Sequence, residues 1–136
     1  MSQPSAKILI VDDEPHMAYV LRYKLETAGH RVIITNNGAD AYEIACTQRP
    51  DAVVSDFRMP GGSGFELATR LHANPETAHI PLIMLTARAH KLKPSEIVDT
   101  NIQHLMEKPF SPTELLEKLN ELLLEMTTRD AGDRAA

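Results

Sequence analysis

The sequence holds a single cysteine, Cys46, and no tryptophan, and its aromatic residues amount to only 4%. One thiol excludes an intrachain disulfide, and nothing in the cysteine usage points to secretion. Cys46 falls inside a helical pattern, where a small, half-buried thiol is the plain expectation. Long apolar runs are missing as well. Ile8–Val11 is far shorter than the roughly 20 residues a membrane helix needs. The start, Met1 to Ala6, lacks the basic and apolar stretches of a signal peptide. Positive charge is scarce: 14 Lys and Arg stand against 19 Asp and Glu, a net charge of −5. Without a basic helix or stacking aromatics, direct nucleic-acid binding is not expected. The six histidines (16, 30, 72, 79, 90 and 104) show no metal-ligand spacing and read as scattered surface residues. These absences point to a cytoplasmic protein.

What is present suits one domain. The chain has 136 residues, 43% hydrophobic and 24% charged, enough for one sizeable core. Short apolar runs alternate with helical patterns. KILIV (7–11), RVIIT (31–35), AVVS (52–55), PLIML (81–85) and HLM (104–106) read as strands, the first buried on both faces. Helices are expected over 15–28, 39–48, 64–73 and 112–126. In the first, Met17, Val20, Leu21 and Leu25 lie near helical spacing, with Pro15 in the opening turn and Gly29 at the stop. In the last, Ser111 with Glu114 makes a capping box. A short helix between β-patterns four and five begins at Pro94, because Lys93 before it is disfavoured in the α region. Met59, Met84 and Met106 lie in or beside strands and read as packing residues. From Thr127 the apolar periodicity stops, so a frayed tail is expected there.

Five strands alternating with five helices imply right-handed crossovers and an open, doubly wound α/β sheet. Ligands in such sheets bind outside the carboxyl ends of the strands. Those ends carry the reactive residues of this chain. Strand one runs into Asp12-Asp13-Glu14, strand three into Asp56, strand four into Thr86 and strand five into Lys108-Pro109-Phe110. Singly, an Asp pair serves as a cap, a threonine as a turn and a lysine as solvated surface. Together, three carboxylates at one edge repel one another and call for a cation. Magnesium fits, since it uses few carboxylates and leaves positions for phosphoryl oxygens. Lys108 and Thr86 supply a charge and a hydroxyl for the same oxygens, and a carboxylate can accept a phosphoryl group covalently.

The segments ILIVDDEP, DFRMPGGSG, LTA and KPF, in this order and spacing, resemble the receiver domain of two-component response regulators over roughly residues 6–125. The resemblance implies a flavodoxin-like sheet of order 2-1-3-4-5. It implies that Asp56 is the phosphoacceptor and that Thr86 and Lys108 act beside it. Magnesium would be held by Asp12, Asp13, Asp56 and the backbone carbonyl of Arg58. It implies a cis bond between Lys108 and Pro109, a histidine kinase or histidine phosphotransfer protein as donor, and catalysis limited to the chain's own phosphorylation and dephosphorylation. The division would be an N-terminal extension (1–6), a receiver domain (7–125) and a flexible tail (126–136), in a monomer or weak dimer. The output target is not written in the sequence.

Several positions depart from the family pattern. Leu105 stands at the switch position usually held by an aromatic residue, and is expected to pack inward. Asn101 replaces a glycine, a change that a left-handed turn at Asn would tolerate. Arg58, Ala87 and Arg88 flank the site, the two arginines being placed to screen an acyl phosphate from water. The basic loop of residues 88–93 reads as solvated surface. The alternative function is a haloacid-dehalogenase-like phosphohydrolase with Asp56 as nucleophile. That family requires a second Asp two residues on, where this chain has Arg58.

Overall fold

A computed structural model describes residues 5–58, 63–87 and 93–135. Its elements alternate as β1 (Lys7–Val11), α1 (Pro15–Thr27), β2 (Arg31–Thr35), α2 (Gly38–Gln48), β3 (Ala52–Asp56), α3 (Gly64–Ala73), β4 (Leu82–Thr86), α4 (Pro94–Ile97), β5 (Ile102–Glu107) and α5 (Pro112–Ala135). All strand pairs are parallel, in the order β2-β1-β3-β4-β5. This is the doubly wound sheet expected from the alternation of apolar runs and helical patterns. The order reverses between β1 and β3, which places their carboxyl ends at the switch point.

Alternate strand residues face opposite sides, and the core divides accordingly. Ile8, Ile10, Val54, Ile83 and Leu85 pack with Leu21 and Leu25 of α1 and Leu115, Leu119 and Leu122 of α5. Leu9, Val11, Val53, Leu82 and Met84 pack with Ala41 and Ala45 of α2 and Leu67, Ala68 and Leu71 of α3. Strands covered on both faces need apolar residues at every position, which is why β1 and β4 read as unbroken hydrophobic runs.

Element boundaries show where tertiary structure prevailed over local pattern. β3 and β4 extend through Asp56 and Thr86, because the ladder continues past the apolar run: Asp56 pairs with Leu85 and Thr86 with Glu107. β5 runs from Ile102, before the HLM segment, and its register shifts between Leu82 and Ile83, bypassing Gln103. Val20 faces outward on α1, 39% exposed, and Ala18 takes the buried position instead. α1 stops at Gly29, whose φ of +99° suits only glycine. α4 begins at Pro94 and is a single turn. Ser63 and Ser111 cap α3 and α5, accepting from the N–H groups of Glu66 and Glu114 at 3.1 and 3.0 Å. α5 continues as helix to Ala135, where the lost periodicity had suggested a frayed end from Thr127.

Two further expectations are corrected. His30 is buried, not a surface histidine. Its Nδ1 accepts from the Ala6 N–H at 3.2 Å, so Nε2 carries the proton donated to Asn120 Oδ1 at 3.0 Å. Asn101 adopts no left-handed turn; among the described residues only Arg49 does so without being glycine. Asn101 instead donates both amide hydrogens to carbonyls, Thr77 at 2.9 Å and Ile80 at 2.8 Å, tying the approach to β4 onto β5.

Candidate functional site

The parallel sheet brings the reactive residues to one edge. Asp12 directly follows β1, Asp56 ends β3, Thr86 ends β4 and Lys108 directly follows β5. Asp12, Asp13 and Asp56 each offer a carboxylate oxygen, and these oxygens lie within 4.8 Å of one another. Asp12 and Asp56 are buried and Asp13 is exposed. Lys108 Nζ meets Asp56 Oδ1 at 2.8 Å.

The backbone aims these groups. Asp12 N–H donates to the Thr35 carbonyl of β2, and Asp12 Oδ1 accepts from the Glu14 N–H at 2.9 Å. Phe57 N–H is shared between the Leu85 carbonyl at 2.9 Å and Asp56 Oδ1 at 3.0 Å, which ties the acceptor carboxylate to the β3–β4 ladder. Lys108 N–H donates to the Thr86 carbonyl at 2.9 Å, and the Lys108–Pro109 bond is cis, as the KPF segment implied. Burial raises the Asp12 carboxyl above its ordinary value, and the charges of Asp56 and Asp13 raise it further. The Glu14 N–H and the Lys108 ammonium oppose this without cancelling it. A buried carboxyl disfavouring its own ionisation beside two others is the donor set a hard divalent cation satisfies.

Thr86 is buried, 7% exposed, at the same edge. Arg58 and Ala87 flank the site on exposed positions. Arg88, His90 and Met59 lie outside the described residues, as does the basic loop up to Leu92. Leu105 is half-buried on β5 and packs against the α2–α3 side of the core, as does Ile97 of α4; this agrees with inward packing. Cys46 is half-buried between α2 and α3, 3.6 Å from Asn74 Nδ2.

Two features were not read from the sequence. A groove of about 420 Å³ runs beside Asp12, lined by Pro15, Tyr19, Arg22, Ile34 and Asn36. Tyr19 and Tyr23 are 65% and 75% exposed on α1 next to it; their spacing of one helical turn was the available signal. The second is Ser55, fully buried at the end of β3, whose Oγ donates to the Asp56 carbonyl at 2.9 Å. A lone hydroxyl in an otherwise apolar strand was the sign of it.

A five-stranded parallel sheet of this order, with three carboxylates and a lysine at its switch point, defines a class of phosphoryl-handling signalling domain. Residues 8–120 match the family described as the response regulator receiver domain, and the chain belongs to that family. It is 36% identical over 116 residues to the phosphate regulon transcriptional regulatory protein PhoB of Pseudomonas aeruginosa, covering 85% of this chain and 51% of that protein. It is 35% identical over 118 residues to Protein PilH of the same organism, covering 87% of this chain and 98% of PilH. Among solved structures it is similar to the receiver domain of a Pseudomonas aeruginosa sensor histidine kinase, described with a magnesium ion coordinated in the active-site cleft. That likeness has a TM-score of 0.78 at 28% identity, over 88% of this chain and 98% of the other. The chain spans about half the length of the phosphate-regulon regulators it matches. It is thus a receiver domain of two-component signalling, and nothing supports the phosphohydrolase alternative. Among the described residues, no helix is long and apolar enough to cross a membrane.

Proposed function

We propose that Asp56 accepts a phosphoryl group from the phosphohistidine of a histidine kinase or histidine phosphotransfer protein, and that this switches the chain's contacts with a protein target. The observation that carries the reading is the 2.8 Å pair of Lys108 Nζ and Asp56 Oδ1 inside a three-carboxylate cluster. A carboxylate oxygen of Asp56 bonds to phosphorus while the bond from phosphorus to the imidazole nitrogen breaks, and that nitrogen leaves. Later, water attacks the phosphorus and inorganic phosphate is released. Lys108 balances the charge on the phosphoryl oxygens, and the Thr86 hydroxyl donates to them. A magnesium ion held by the carboxylates of Asp12, Asp13 and Asp56 and the carbonyl of Arg58 would supply further neutralisation of that charge.

The new dianion draws Thr86 inward and shifts the population of two packed states, with Leu105 as the neighbouring switch position. Arg58 and Arg88 screen the acyl phosphate and set its lifetime. The exposed Tyr19, Val20 and Tyr23 of α1 offer the donor protein an apolar surface beside the site. The chain turns over nothing but its own phosphoryl group, and it works in the cytoplasm through protein contacts, without touching nucleic acid or membrane. Residues 7–125 form the receiver unit, monomeric or weakly dimeric, with α5 running on beyond it to Ala135.

The test is incubation with acetyl phosphate and magnesium, followed by intact mass. Wild type is expected to gain one phosphoryl adduct, lost with EDTA and absent in Asp56→Asn. An adduct that persists in Asp56→Asn overturns the assignment of the acceptor.

A further inference from the structure

Ser55 interrupts β3 with a hydroxyl that has no access to solvent. A buried hydroxyl is costly unless it is hydrogen-bonded, and this one donates to the carbonyl of the next residue, Asp56, at 2.9 Å. That carbonyl shares a single planar peptide unit with the Phe57 N–H. The same N–H holds Asp56 Oδ1 at 3.0 Å and the Leu85 carbonyl at 2.9 Å. Turning the plane therefore moves the reacting carboxylate.

α3 packs closely on the same carbonyl, beside the hydroxyl. A Cβ at Gly64 would collide with the Asp56 carbonyl and lie 2.9 Å from both Ser55 Oγ and Met84 Sδ. Gly64 N–H also donates to the Phe57 carbonyl at 2.8 Å. The start of α3 can dock here only because residue 64 has no side chain. Ser55 and Gly64 thus both close on one carbonyl, and the peptide plane it belongs to carries the donor that orients Asp56.

We propose that Ser55 is a positioning residue for the phosphoacceptor: its hydroxyl, backed by Gly64, sets the Asp56–Phe57 peptide plane and so aims the Asp56 carboxylate. This rests on the reading of Asp56 as acceptor. A merely structural hydroxyl would lower the melting temperature of Ser55→Ala and leave the reaction rate alone. A positioning hydroxyl changes the rate and the environment of Phe57.

Adduct formation from acetyl phosphate at saturating magnesium is compared for wild type, Ser55→Ala and Ser55→Thr, well below their melting temperatures. The alanine variant is expected to react roughly three- to tenfold slower, as losing the Ser55–Asp56 hydrogen bond implies, and the threonine variant within about twofold of wild type. In the metal-free proteins, the Phe57 amide resonance of Ser55→Ala is expected to shift and lose hydrogen-exchange protection. If Ser55→Ala does not fold, Ser55→Cys, a weaker donor of similar shape, is expected to show the same losses. A wild-type rate, or an unmoved Phe57 amide, overturns the proposal. If wild type itself takes no adduct, the acceptor reading fails first, and the Phe57 amide still decides the role of Ser55.

Discussion

Lys108 has to reach across β4 to touch Asp56, since β5 lies two strands, roughly 10 Å, from β3. Only a long side chain spans that gap, which explains why the charge is carried by lysine just past β5. Replacing it removes the ammonium that meets Asp56 Oδ1 at 2.8 Å. Lys108→Ala is expected to take up a phosphoryl group from acetyl phosphate about 10²-fold more slowly, measured by intact mass over time. Asp12 makes the opposite contribution. Burial raises its carboxyl above 3.8, so the ionised form is penalised in the folded chain. The stability this gives is fully present below 3.8 and is lost as pH rises through the higher folded value. Asp12→Asn keeps an oxygen for the Glu14 N–H and removes the charge. In EDTA at neutral pH it is expected to melt about 3–5 °C higher than wild type, the shift that ~1 kcal/mol makes in a domain of this size. The gain should shrink toward pH 3 in calorimetric scans. Asp12, Asp56, Thr86 and Lys108 were legible at this scale because each ends a recognisable strand. Ser55 was not, because a single serine in a strand hints at a buried hydroxyl without showing which peptide it holds.

Helix ends carry much of the local specification, and α2 ends at a cost. Its C-cap, Arg49, sits at φ 46° and ψ 65°, a left-handed conformation that penalises any residue with a Cβ. The Arg49–Glu76 ion pair at 3.2 Å is exposed and returns little. Arg49→Gly is expected to stabilise the protein by about 0.5–1 kcal/mol in urea denaturation, less if the freer unfolded chain offsets it. α5 is held on its apolar side by Leu115, Leu119 and Leu122 and at its flank by the Asn120–His30–Ala6 chain of hydrogen bonds. Proline and glycine mark the ends of α1 and the start of α4, and the Ser111–Glu114 pair marks the start of α5. The extension of α5 to Ala135 was hidden, because helical backbone there needs no apolar periodicity of its own. The role of Asn101 was hidden too: its amide binds carbonyls of residues 77 and 80, contacts that separation along the chain conceals.

For the molecule as a whole, three carboxylates within 4.8 Å of one another predict a coupling of folding to cation binding. Magnesium bound by the folded site and not by the unfolded chain stabilises by mass action, ~2.7 kcal/mol at a hundred times its dissociation constant. The wild-type melting temperature is expected to climb with magnesium, and that of an Asp12→Asn, Asp13→Asn double variant to stay flat, as read by scanning calorimetry. A wild type indifferent to magnesium would argue against the cluster as a cation site.

The sequence by itself determined the sheet and its reactive edge. Strands buried on both faces must be continuously apolar, helical crossovers make their neighbours parallel, and parallel strands present every carboxyl end on one side. The tertiary structure alone decided the rest: where β3, β4 and β5 end, the burial of His30 and of the Ser55 hydroxyl, and the approach of α3 that only Gly64 permits. These depend on distances between segments far apart in the chain, and a linear pattern of residue types does not contain those distances.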